Sequence, residues 1–213
     1  LMKDLWALTG FEISELFQKK EISAVEICNE TIKHIENTNP KINAIVIDTF
    51  NEAKNTALSL DKKLNNNENL GELAGVPVTI KVNTDQIGYA STNGLRIQKD
   101  LVAKKDSPVV KNLKKSDSLI VGRTNTPAFS IHWFTRNSLH GHTFNPHNKN
   151  ITPGGSSGGA AAATFLKSTE NDTTSGTLGV INDTGLSVGA DSDFNVAVDS
   201  TGVVISNIIS DTD

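Results

Sequence analysis

The sequence predicts an α/β chain: a mixed sheet with flanking helices, followed by a β-rich tail. Two observations carry this. Between Phe11 and Gly122 the apolar residues fall alternately at helical and at strand spacing, giving an order of helix, strand, helix and strand. After Ala163 the helical spacing vanishes and short alternating runs replace it. The boundary is expected near Phe165, separating residues 1–165 from an acidic tail over residues 166–213.

The elements follow in order. Phe11 to Phe17 has apolar residues at helical spacing and ends near Lys19-Lys20. Ser23 with Glu26 three residues on forms a capping box for a second helix. Val25, Ile27, Ile32 and Ile35 line one face of it, and Asn39-Pro40 is expected to stop it. Ile42 to Ile47 reads as a short strand. A third helix covers Asn51 to Leu64, with Ala53, Ala57, Leu60 and Leu64 on one face, and ends in a solvated Asn-rich loop. Val76, Val78 and Ile80 alternate, which makes a strand with Lys81 at its C-terminal end. A polar loop runs on through Gly94. Ser107 then caps a helix that starts at Pro108 and ends near Lys115. Residues 118–122 form a buried strand, and Arg123 to Pro153 is read as one long polar loop.

Composition narrows the classes. With 37% hydrophobic and 21% charged residues and a net charge of −4, the chain suits a globular protein and not a nucleic-acid binder. No apolar run reaches membrane-spanning length, and no basic-then-apolar leader pattern opens the sequence. The single cysteine, Cys28, excludes an intrachain disulfide. A cytoplasmic setting is the default expectation.

Three features bear on chemistry. Thr152-Pro153-Gly154-Gly155-Ser156-Ser157-Gly158-Gly159, followed by Ala160 to Ala163, is either a flexible linker or a backbone built for close approach. Lys81, at the end of a buried strand, is a general-base candidate, because desolvation favours the neutral amine. His140, His142 and His147 invite a zinc reading. No acidic or cysteine partner nearby completes a tetrahedral set, so no metal site is assigned.

Together these stretches resemble the N-terminal part of the amidase signature family. The resemblance is carried by Ala-Gly-Val-Pro-Val-Thr-Ile-Lys at 74–81, Ser-Pro-Val-Val-Lys at 107–111 and Ile-Val-Gly-Arg-Thr-Asn-Thr-Pro at 120–127. Asn145-Pro146 and Pro-Gly-Gly-Ser-Ser-Gly-Gly at 153–159 complete it, in this order and spacing. It covers residues 1–163. It implies an incomplete amidase-signature-like sheet and cleavage of carboxamide C–N bonds by a Ser-Ser-Lys triad. Lys81 would be the base and Ser156 the bridging serine, preceded by a cis peptide bond. Gly154, Gly155 and Ser157 would face the substrate, a small amide, and no cofactor is called for.

The family's nucleophile sits in an Asp-x-Gly-Gly-Ser-x-Arg segment after this loop, and residues 164–213 contain no such segment. A forced alignment puts Asn195 at the serine and Ala197 at the arginine. Ser175, Ser187, Ser192 and Ser200 match by residue type without the glycine context. The expectation is a truncated hydrolase, inactive as written. The tail has no Lys or Arg beyond Lys167 and weakly resembles β-rich repeats of phage tail-fibre proteins. Two alternatives stay open: an amidase subunit completed by another chain, and a non-enzymatic virion-associated protein with an amidase-like head, forming a homo-oligomer through its tail.

Overall fold

The computed structural model describes residues 4–164 together with the strands Leu186–Ser187, Phe194–Asp199 and Gly202–Asn207. The chain divides into two compact units, Leu1–Thr169 and Glu170–Asp213.

Helix α1 (Gly10–Gln18) begins at Thr9, whose side chain accepts from the Glu12 amide while the Glu12 carboxylate accepts from the Thr9 amide. Helix α2 (Ala24–Ile42) opens on the expected Ser23–Glu26 box. Its end differs from expectation, because it runs through Pro40 for most of another turn. Pro40 has no amide hydrogen to donate, so this last turn goes without one helical hydrogen bond. The stop is made instead by Asn43, in the left-handed conformation, and by the Asn39 side chain. The Asn39 oxygen accepts from the amides of Ala44 and Ile45, and its nitrogen donates to the Ile45 carbonyl. Strand β1 is therefore Ile45–Asp48, three residues later than Ile42.

Helix α3 (Phe50–Asn65), strand β2 (Pro77–Lys81), helix α4 (Pro108–Lys115) and strand β3 (Leu119–Thr124) follow as the patterns predict. They form a three-stranded mixed sheet in the order β1-β3-β2, with β1 antiparallel and β2 parallel to β3. Helices α1, α2 and α3 bury Ile13, Phe17, Ile27, Ile35 and Leu60 in one core with Leu119 and Val121. A smaller cluster joins Ile80 and Ile120 of the sheet to Val110 of α4. Cys28 lies in the main core, and burial pushes its thiol up to about 11.

The stretch read as one long loop is more ordered than its polarity suggests. Arg123 and Thr124 complete β3, Ala128–Ser130 makes a 3-10 turn, and β4 (Arg136–Asn137) pairs antiparallel with β5 (Gly141–His142). Helix α5 (Gly158–Thr164) follows the Gly/Ser run. In the second unit, β6 (Leu186–Ser187), β7 (Phe194–Asp199) and β8 (Gly202–Asn207) form an antiparallel sheet in sequence order. The serines Ser175, Ser192 and Ser200 lie outside the described residues. Among those described, no helix is long and apolar enough to cross a membrane.

Candidate active site

Lys81 ends β2 opposite Thr124 of β3, and the next amide, that of Val82, donates to the Thr124 carbonyl at 3.0 Å. Parallel pairing thus sets Lys81 beside the point where the chain leaves β3 as Asn125-Thr126. Helix α5 packs against both strands. Its first turn touches backbone directly: a Cβ on Gly159 would lie 2.5 Å from the Asn125 amide nitrogen and 3.0 Å from the Ala44 carbonyl oxygen. Only glycine permits that approach, and the approach delivers the preceding serines to the lysine. Lys81 Nζ donates to Ser156 Oγ at 3.0 Å and lies 3.2 Å from Ser157 Oγ. The Gly155–Ser156 peptide bond is cis.

The Gly/Ser run is clamped as well as placed. Thr135, fully buried, donates its hydroxyl to the Gly154 carbonyl at 2.9 Å and accepts from the Gly158 amide at 3.0 Å. The Thr135 amide also donates to the Gly154 carbonyl, at 3.1 Å. A Cβ on Gly155 would meet the His132 carbonyl oxygen at 2.6 Å. Thr126 Oγ1 donates to the Ser156 carbonyl at 3.1 Å. Beneath the clamp, Asn125 binds Thr143 Oγ1 and accepts from Asn137, while Thr143 donates to the Asn43 carbonyl. A run tied at Gly154, Ser156 and Gly158 is no flexible linker.

Burial pushes the Lys81 ammonium below the ordinary lysine range, and among the described residues no carboxylate pairs with it. Desolvation acts unopposed here, so a larger fraction of Lys81 is the neutral amine than of a surface lysine at the same pH. Arg123, the other buried cation nearby, is spent on structure. Its guanidinium donates to the Thr84 carbonyl and the Gln86 side chain and sits 5.7 Å above the centre of the Tyr89 ring.

All five sequence-predicted site residues, Lys81, Gly154, Gly155, Ser156 and Ser157, gather in this one place. The histidines do not gather. His140 Nε2 bonds Thr92 Oγ1 at 2.8 Å and His142 stacks on Phe144. Among the described residues no three histidine, cysteine or carboxylate side chains come together at metal-binding spacing. A largely apolar cavity of about 350 Å³ lies between Trp6, the start of β2 and Ala160 and Ala163 of α5. Neither Lys81 nor Ser156 lines it.

Sequence reasoning missed Thr126, Ser130 and Thr135. Thr126 belongs to the Ile-Val-Gly-Arg-Thr-Asn-Thr-Pro motif, and its residue type there points to no particular role. Thr135 had no signal, because a clamp made by one hydroxyl between two backbone groups has no spacing rule.

The profile of the Amidase family matches residues 26–172, so the match continues beyond Ala163. An indoleacetamide hydrolase of Bradyrhizobium diazoefficiens is 43% identical over 159 residues, covering 75% of this chain and 30% of that protein. A glutamyl-tRNA(Gln) amidotransferase subunit of Fusobacterium nucleatum is 41% identical over 160 residues, covering 75% of this chain and 33% of its own length. The chain thus spans about a third of the length of these relatives. The crystal structure of a bacterial aryl acylamidase belonging to the amidase signature enzymes superposes with a TM-score of 0.70 at 37% identity, over 73% of this chain and 32% of that one. With the family profile spanning most of the sequence and solved members sharing its fold, the chain belongs to the amidase signature family.

Proposed function

We propose that this chain carries the base and the bridging serine of a carboxamide C–N hydrolase, and that its own 213 residues do not include the nucleophile. The observation that carries the reading is the 3.0 Å contact between Lys81 Nζ and Ser156 Oγ, at a lysine held toward neutrality by burial. In the cycle the resemblance implies, neutral Lys81 takes the Ser156 proton. Ser156 takes the proton of a nucleophilic hydroxyl as that oxygen attacks the amide carbon. The same proton returns along the pair to the departing amine nitrogen. Gly154, Gly155 and Ser157, beside the pair, face the amide substrate. Without a serine to feed the pair, the chain by itself does not turn over.

Two measurements test this separately. In competitive acylation with acetic anhydride, read lysine by lysine by mass spectrometry, Lys81 is expected to titrate below the exposed lysines. The sign follows from the lowered value: beneath the ordinary lysine pKa a larger fraction of Lys81 than of an exposed lysine is the neutral amine, so it reacts faster. An ordinary midpoint for Lys81 would remove the base from the reading. A fluorophosphonate probe is expected to leave the chain unlabelled, since the nucleophilic serine that Ser156 would serve is not among its residues. Labelling that disappears in Lys81→Ala would show a nucleophile within the chain and overturn the second half of the proposal.

A further inference from the structure

Three residues other than glycine adopt the left-handed conformation around one point beside the site: Asn93 (φ 47°), Phe129 (φ 58°) and Ser130 (φ 58°). Such backbone persists only where its surroundings over-determine it. Here the Phe129 amide donates to the Asn93 carbonyl at 3.0 Å and the Ser130 amide to the Pro127 carbonyl at 2.9 Å. The result is to bring Ser130 Oγ within 2.8 Å of Thr126 Oγ1, 2.8 Å of the Asn93 carboxamide and 3.1 Å of Asn83 Nδ2. Thr126 Oγ1 in turn lies 3.1 Å from the Ser156 carbonyl.

Counting protons gives this chain of contacts a direction. Thr126 and Ser130 each own one hydroxyl proton, and the Ser156 carbonyl can only accept. Thr126 therefore donates to Ser156. Ser130 gives its own proton to the Asn93 carboxamide oxygen at 2.8 Å and sets its oxygen 2.8 Å from Thr126 Oγ1. Ser130 Oγ accepts from Asn83 Nδ2 at 3.1 Å. Ser130 is thus fixed by both asparagines beside the Thr126 hydroxyl. Thr126 is fully buried, so its hydroxyl has no water to turn to.

We infer that Thr126 is a positioning residue, its hydroxyl oriented by Ser130 and gripping the Ser156 carbonyl so that the serine stays against Lys81. This rests on the reading of Lys81 and Ser156 as a proton-transfer pair. Thr126→Val keeps the shape and removes the hydroxyl; Thr126→Ser keeps the hydroxyl. When the grip is lost, the Ser156 loop loosens, water reaches Lys81 Nζ and its desolvation falls.

The test is the acylation titration of Lys81 in the full chain, with thermal unfolding alongside. Thr126→Val is expected to raise the Lys81 midpoint toward the ordinary value and slow its acylation below that value by about threefold, corresponding to half a pKa unit. Thr126→Ser is expected to match the unmodified chain, and Ser130→Ala to shift Lys81 in the same direction by less. A Lys81 titration unchanged in Thr126→Val overturns the inference, as does Thr126→Ser shifting as far as Thr126→Val. A common shift of all lysines also overturns it, since that reports global loosening. Should Thr126→Val not fold, Ser130→Ala decides by the same criterion. An ordinary Lys81 midpoint in the unmodified chain removes the proton-transfer pair itself, and this inference with it. A depressed midpoint that ignores both hydroxyls removes the inference alone.

Discussion

Gly159→Ala is expected to separate Lys81 from Ser156 while destabilising the first unit by about 3 kcal/mol, the upper part of the range for an overpacked site. The added methyl would stand 2.5 Å from both the nitrogen and the oxygen of Asn125 and 3.0 Å from the Ala44 carbonyl. These are backbone atoms at the end of β3 and the start of β1, so no side chain can swing aside. Helix α5 must move, and the serines preceding it move with it. The consequences are read in two ways. Urea unfolding should show the loss of stability, and the acylation titration should return Lys81 to the ordinary lysine range. Stability and Lys81 titration both unchanged would mean that α5 does not seat against the end of β3, and the geometry given for the site would be wrong. Ala160→Gly, one position on, lacks this conflict and should cost only about 1 kcal/mol, through helix propensity.

Phe17→Ala is expected to be the most damaging core substitution, at about 3–5 kcal/mol. Phe17 is fully buried at the end of α1, within the cluster that joins α1, α2 and α3 to the sheet. Its ring also lies against the turn at Gly75, where a Cβ would come within 3.4 Å of it. That turn leads directly into β2, so the cavity left by alanine would open beneath the strand that carries Lys81. For a unit of this size each kcal/mol lowers the melting temperature by about 2–4 °C, so a drop of roughly 10 °C is expected by calorimetry. Phe17→Leu keeps most of the volume and should cost less than half as much. A loss below about 1 kcal/mol for the alanine would show that α1 is not docked.

The two stretches that meet in the fold, at Lys81 and at Gly154 to Gly159, were legible in the sequence, and the reason is local. Lys81 declares itself because a strand pattern ends on it. The Gly/Ser run declares itself because six glycines and serines in succession suit no packed element. What joins them is their order along the chain with two further motifs, and the family profile matches over the same stretch. The capping boxes are equally local, and the one at Thr9–Glu12 stands in the sequence as clearly as that at Ser23–Glu26. Pro40 shows the opposite case. A proline rule predicts a stop, and the structure places the stop three residues on because Asn39 and Asn43 offer a better one.

The amino-acid sequence by itself determined the alternation of helices and strands and singled out Lys81, Gly154, Gly155, Ser156 and Ser157, the residues the fold brings together. Each of these depends on residue type and near-neighbour spacing. The tertiary structure decided that Lys81 meets both serines, that the run is held at Gly154 and Gly158 by one threonine, and that Thr126 and Ser130 stand behind Ser156. Those contacts bridge from 4 to 76 residues along the chain, and most depend on parallel strand pairing and on glycine-to-backbone contact. Hydrogen bonds between a hydroxyl and a distant carbonyl leave no periodicity to read, so only the folded chain reveals them.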